Sequence, residues 1–187
     1  MGSNSKATNR LAEDRSTGAP GRSIVLVGMM GVGKTTIGKR LAQRLGMPFV
    51  DADHAIEEAA GMTVAEIFAR YGEPAFRDGE KRVIGRLIEG PPCVIATGGG
   101  AFATEETRNL ILEKARSVWL DAPIDTLVRR VSRRSSRPLL VGRDPRSVLT
   151  ELAKARNGWY AMADIHVQSD DCPHEMTVDR IVQALKL

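Results

Sequence analysis

"GMMGVGKTT", residues 28–36, carries three glycines, a lysine and two threonines directly after the apolar run "SIVLV" (23–27). A purely structural turn needs one or two glycines. This stretch meets the pattern G-x-x-x-x-G-K-[ST] through Gly28, Gly33, Lys34 and Thr35, with Gly31 between. Glycines let successive backbone N–H groups turn inward around phosphate oxygens without a Cβ in the way. A helix starting near Lys34 adds its positive dipole end. Lys34 supplies a mobile point charge for the β- and γ-phosphates, and the Thr35 hydroxyl suits Mg²⁺. The alternative is a glycine-rich turn that merely packs a strand close to a helix. The full motif between a strand and a helix argues against it. The loop is read as a holder of a nucleoside triphosphate with magnesium, through Met30, Gly31, Val32, Gly33, Lys34, Thr35 and Thr36.

Outward from the loop, the chain alternates. Short β-branched runs at 23–28, 48–52, 93–97, 116–121 and 164–168 predict strands. Between and after them lie helical stretches at 34–45, 53–60, 63–71, 76–89, 104–115, 123–134, 146–161 and 177–187. "TVAE" (63–66) has capping-box spacing, and Asp144-Pro145 suits a helix start. Strands separated by helices imply a five-stranded parallel sheet with helices on both faces, a three-layer α/β/α domain over 23–187. Residues 1–22 are small and polar without a sustained period, which predicts a disordered leader.

The totals agree with one such domain. The chain has 187 residues, 42 % of them hydrophobic and 4 % aromatic, so aliphatic side chains must fill the core. A net charge of +4 suits an anionic small molecule or nucleic acid without choosing between them. Cys93 and Cys172 lie far apart with no CxxC or Cys/His cluster, which predicts two reduced thiols in a cytoplasmic protein. No apolar stretch approaches the roughly 20 residues of a membrane span. Nothing requires more than a monomer.

An ATPase, a GTPase and a small-molecule kinase would all share the glycine loop. The acceptor must be read elsewhere. Asp51 and Asp53 end the second strand, and alternation along a strand would put both carboxylates on one side, at the carboxyl end of the sheet. One would hold a metal-bound water and the other a substrate hydroxyl; alternatively Asp53 caps the following helix. "FRDGE" (76–80) places Arg77 and Glu80 on one helix face, and "TGGGA" (97–101) leaves a strand with bare backbone. "ARNGWY" (155–160) carries Arg156 near a helix end, with Trp159 as a candidate border of the same pocket. Two arginines facing a pocket suit a carboxylate, whose two oxygens match the guanidinium fork.

Taken together, "GMMGVGKTTIGKRLA", "DAD" (51–53), "FRDGE", "ATGGGA", "SRPLL" (136–140) and "AKARNGWY" (153–160) follow one order at compact spacing. Over about 23–187 the chain resembles shikimate kinase, within the nucleoside-monophosphate-kinase-like P-loop group. That resemblance implies transfer of the ATP γ-phosphoryl group to the 3-hydroxyl of shikimate, on the route toward chorismate and the aromatic amino acids. It implies that Lys34, Asp53 and Arg137 are catalytic, that Asp53 contacts the shikimate hydroxyls, and that Asp51 lies near magnesium alongside Thr35. It implies that Arg77 and Arg156 grip the shikimate carboxylate and that Gly98, Gly99 and Gly100 form the backbone wall of that pocket. Arg137 matches a lid arginine over the phosphates, in a lid at about 133–146. Arg130 matches an arginine packed on adenine, with Pro173 on the other side of the slot. Gly158 departs from the family, which often has proline there.

"RRVSRRSSRPLLVGR" (129–143) holds five arginines within 129–137 and has a competing reading as a nucleic-acid patch. It has no interleaved aromatic residue for stacking, and no helix-turn-helix or zinc pattern accompanies it. A mobile lid over a triphosphate uses the same polar, positive residues, and no nucleic-acid or membrane partner is expected. A kinase for another polyol acid such as gluconate, an ATP-binding regulatory protein without turnover, and a nucleic-acid-associated ATPase stand as alternatives. The regulatory reading is weakened by the presence of Lys34, Thr35, Asp53 and Arg137 together. None of the three histidines, His54, His166 and His174, has ligand spacing, and no role is assigned to them.

Overall fold

The computed structural model describes residues 21–132, 142–170 and 172–187. Residues 1–20 of the expected leader and most of the expected lid, Arg137 included, lie outside the described residues. Within them runs the predicted alternation: β1 (Ile24–Val27), α1 (Lys34–Leu45), β2 (Phe49–Asp51), α2 (Ala52–Ala60) and α3 (Val64–Glu89). Then come β3 (Val94–Ala96), a 3₁₀ turn (Ala101–Ala103), α4 (Glu105–Lys114), β4 (Arg116–Asp121), α5 (Ile124–Ser132), α6 (Pro145–Tyr160), β5 (Ile165–Gln168) and α7 (His174–Leu185).

The five strands form one sheet in the order β2-β3-β1-β4-β5, every pairing parallel. All four residues of β1, Ile24 to Val27, are fully buried, which requires cover on both faces of the sheet. Helices supply it: α1 packs with α7, α3 with α4, and α5 with α6. Two apolar clusters result. The larger spans the sheet and its helices; a smaller one joins Ile56, Ile67, Phe76 and Val83 beneath α2 and α3. The second cluster anchors the arm that carries Arg77.

Local chemistry accounts for the helix ends. Thr63 and Glu66 complete the expected capping box at the start of α3, and Asp144 accepts from the Ser147 N–H at the start of α6. The two helices expected at 63–71 and 76–89 are present, joined within α3 at a kink where Gly72 leaves helical geometry with φ 79°, ψ 174°. α7 begins three residues earlier than its apolar period suggested, directly after Pro173. Among the described residues, no helix is long and apolar enough to cross a membrane.

The chain leaves β1 toward β2 on one side and leaves β3 toward β4 on the other, while β1 and β3 pair directly. Loops after such neighbouring strands diverge and open a crevice at the carboxyl end of the sheet. The two loops there are the glycine loop and "TGGGA". The Thr97 hydroxyl and N–H both donate to the Leu26 carbonyl, at 2.9 and 3.2 Å, and fasten one loop root to the other.

Candidate active site

The glycine loop folds as its residue types dictate. Gly28, Gly31 and Gly33 take φ of 132°, 82° and 101°, the region that side chains with a Cβ avoid. α1 then starts at Lys34 with no side-chain cap, so its first N–H groups face the crevice. Lys34 Nζ donates to the Gly28 and Met29 carbonyls at 2.7 and 2.9 Å, which holds the ammonium at the mouth of the loop. A cleft of about 480 Å³ opens there, lined by Met30, Gly31, Gly33, Lys34, Thr35, Thr36, Asp51, Asp53, Thr97, Gly98, Gly99, Arg130 and His174. The Val32 side chain is fully buried, which leaves its backbone to face the loop.

The two aspartates converge on this cleft by a different route from strand alternation. β2 ends at Asp51, and Asp53 lies in the first turn of α2. Asp51 is the N-cap, accepting from the Asp53 N–H through Oδ1 at 3.2 Å and from the Thr35 hydroxyl through Oδ2 at 2.8 Å. The side chain that caps the helix is therefore Asp51, and Asp53 is left to face the cleft. Burial pushes the Asp53 carboxyl up from its ordinary range, and the Asp51 charge adds to this; Lys34 and Arg77 pull the other way. Those two cations thus both bear on Asp53, one from each side of the site.

Thr35 and Asp51 also bring together a hydroxyl and a carboxylate at the triphosphate loop. Among the described residues, no group of three His, Cys, Asp or Glu side chains converges as a metal cage. A hydroxyl with one carboxylate is the oxygen-poor protein contribution that Mg²⁺ tolerates, since it keeps waters and takes its other ligands from phosphates. The residues fit that ion.

A second cavity of about 590 Å³ adjoins the first, lined by Arg77, Gly100, Arg156 and Trp159 with Glu73, Pro74, Ala103, Thr104, Leu152 and Ala155. Arg77 donates through Nη1 to Glu80 Oε2 at 2.7 Å and through Nη2 to Glu73 at 3.0 Å. Burial opposes its charge, but the Glu80 and Glu73 carboxylates outweigh that and its pKa rises. Glu80 is 1 % exposed; burial raises its pKa despite the Arg77 charge, and its Oε1 has no hydrogen-bond partner among the described residues. Arg156 Nη1 donates to the Gly99 carbonyl at 2.9 Å, and the Tyr160 hydroxyl donates to the same oxygen.

The wall between the cavities is three glycines, against which the charged side chains of the site close in. A Cβ on Gly98 would lie 2.8 Å from Asp53 Oδ1 and 3.4 Å from Glu80 Oε1, and one on Gly100 would run into the Arg77 guanidinium. A Cβ on Gly99 would meet the Met30 N–H nitrogen at 3.5 Å and Arg156 Nη1 at 3.7 Å. One glycine thus touches the phosphate loop on one side and the carboxylate-matching arginine on the other. Arg130 closes the far end of the first cleft, donating to the Val32, Ser169 and Asp170 carbonyls. Pro173 is the N-cap of α7, and His174 after it lines that end.

Three contributors have parts in the site that the sequence does not show. Thr97 is one strand residue among many until its hydroxyl reaches Leu26. Glu80 was noticed as a face-mate of Arg77, but its burial is a tertiary property. His174 has no spacing signal and lies ahead of the helix expected at 177–187; burial, with Arg40 and Arg130 nearby, lowers its pKa.

The family model "Shikimate kinase" matches residues 30–186. The chain is 59 % identical over 165 residues to a shikimate kinase of Caulobacter vibrioides, covering 88 % of this chain and 82 % of that one. It is 59 % identical over 164 residues to one from Zymomonas mobilis, covering 88 % and 93 %. The structure of a shikimate kinase from Acinetobacter baumannii in complex with shikimate superposes with a TM-score of 0.84 at 35 % identity, over 88 % of this chain and 93 % of that one. With a triphosphate loop, a bare glycine wall and paired arginines assembled at one crevice, and with relatives this close over most of its length, the chain belongs to the shikimate kinase family.

Proposed function

We propose that the protein transfers the γ-phosphoryl group of ATP to the 3-hydroxyl of shikimate, giving shikimate 3-phosphate and ADP. The observation that carries this reading is the shared wall: Gly98–Gly100 separates Lys34 and its loop from Arg77 and Arg156, with Asp53 beside it. An acceptor whose carboxylate sits between the arginines extends its ring toward Asp53 and the triphosphate.

Each side chain then has a defined task. The loop N–H groups and Lys34 hold the β- and γ-phosphates. Thr35, and Asp51 through water, would hold Mg²⁺, which supplies charge neutralisation on the phosphates. Asp53 orients the attacking hydroxyl and accepts its proton as the new P–O bond forms. Burial and Asp51 make that carboxylate more basic, which favours the acceptance. Phosphoryl transfer is loose, so orientation carries much of the effect. Arg77 and Arg156 bind the carboxylate, and Arg130 flanks the nucleotide base. Arg137, outside the described residues, is assigned to the charge developing on the transferred group. A cytoplasmic monomer is part of the same reading.

ADP release measured in a coupled assay with ATP and Mg²⁺ tests it, with shikimate, with gluconate and with no acceptor. Release that depends on shikimate is expected. Equal release in all three tubes sinks the proposal.

A further inference from the structure

Arg108, on α4, is 8 % exposed and has no assigned task. Its Nη1 donates to the carbonyls of Phe102 and Ala103 at 3.1 and 3.3 Å, while its buried Nε has no hydrogen-bond partner among the described residues. Its Cζ lies 5.9 Å from the centroid of the Trp159 ring. Among the described residues, no carboxylate forms an ion pair with it. A buried guanidinium without a counter-charge is costly, and a methionine would fill similar space without that cost. What the cation touches is therefore informative. Phe102 and Ala103 belong to the 3₁₀ turn that follows the Gly98–Gly100 wall directly, and Trp159 lines the cavity of Arg77 and Arg156.

We infer that Arg108 is a positioning residue for the carboxylate end of the acceptor, setting the end of the glycine wall and the Trp159 ring so that Arg77 and Arg156 bind at one spacing. The inference rests on the acceptor reading given above. Two physical effects combine. A single guanidinium nitrogen, Nη1, bonds two consecutive carbonyls, and the charge over the indole fixes a side chain that is 38 % exposed. The unneutralised charge also adds to the positive potential of the neighbouring cavity, which favours an anion.

Arg108→Lys keeps the charge and loses the planar guanidinium whose Nη1 reaches both carbonyls and whose carbon lies over Trp159; Arg108→Met keeps only the stem. Arg108→Lys is expected to raise the shikimate KM about threefold to tenfold, with the ATP KM and kcat within about twofold of wild type. Arg108→Met is expected to raise it further. Trp159→Leu should raise the same constant, and the Arg108→Lys/Trp159→Leu double variant should exceed the larger single effect little, because both act through one contact. A plain structural brace behaves differently: Tm falls in both Arg108 variants while the shikimate KM stays within twofold. That result, or full additivity with Trp159→Leu, overturns the inference. Should Arg108→Met not fold, Arg108→Lys decides alone. A wild type without shikimate-dependent ADP release sinks the acceptor reading and this inference together; an active wild type beside an unchanged Arg108→Lys sinks the inference only.

Discussion

Arg77 and Asp53 show how single side chains carry opposite costs. Arg77→Ala removes a charge-assisted bond to the acceptor, a loss of about 1.5–3 kcal/mol. The shikimate KM should rise roughly tenfold to over a hundredfold, with the ATP KM little changed. The same substitution strips Glu80 of its partner in a buried position, so Tm should fall as well. An unchanged shikimate KM in steady-state assays would remove Arg77 from the site. Asp53 behaves inversely, because its pKa is raised in the folded protein. The folded state holds that proton more tightly than the unfolded chain does. Stability from this group is therefore present below the unfolded pKa of about 3.9 and is lost as pH rises through the folded value. At pH 7 the ionised carboxylate destabilises the fold. Asp53→Asn should melt higher than wild type at pH 7, with the gain shrinking toward pH 4, while kcat falls about a hundredfold or more. Thermal melts across pH and turnover measurements check both halves; a variant with wild-type turnover and an unchanged Tm refutes the role.

Among the elements, α3 governs how the acceptor side is aimed. Its two halves meet at Gly72, whose φ of 79° and ψ of 174° is open essentially to glycine alone, and Pro74 follows within the bend. The second half carries Arg77 and Glu80 and packs Phe76 and Val83 into the smaller apolar cluster. Gly72→Ala should cost about 1–3 kcal/mol, seen as a lower urea midpoint with an unchanged slope. The shikimate KM should rise with it, since the bend sets the direction in which Arg77 leaves the helix. A variant with wild-type midpoint and KM would mean the bend has no such hold. By contrast α1 needs no bend: its N-terminus is delivered to the phosphates by β1, the most completely buried strand of the sheet.

For the molecule as a whole, folding and ligand binding are linked because the site unites residues from β1 to α6. A ligand that binds only the folded state, at a hundred times its Kd, adds about 2.7 kcal/mol of stability. For a domain of this size that is a rise in Tm of roughly 5–11 °C. Shikimate should produce such a rise in a thermal-shift measurement and gluconate should not. Arg77→Ala should lose the shikimate response and keep the response to nucleotide, because Arg77 lines the second cavity and not the first. Loss of both responses in that variant would mean the cavities are not separable.

Reading the chain in order was enough for the triphosphate loop, the strand and helix order, the parallel sheet, and the caps at Thr63 and Asp144. These depend on neighbours in sequence: a phosphate cradle is nine consecutive residues, and helical and strand periods repeat within a dozen. The motifs also named Arg77, Arg156 and the glycine wall correctly as companions, though only as a resemblance. The folded protein had to decide what burial does. Asp53 faces the cleft from a helix because Asp51 takes the cap; Glu80 is buried with one oxygen unpaired among the described residues; His174 lines the cleft with Arg130; Arg108 on one helix reaches Trp159 on another. Desolvation and charge are sums over atoms brought together from distant parts of the chain, and no local pattern of residues encodes such a sum.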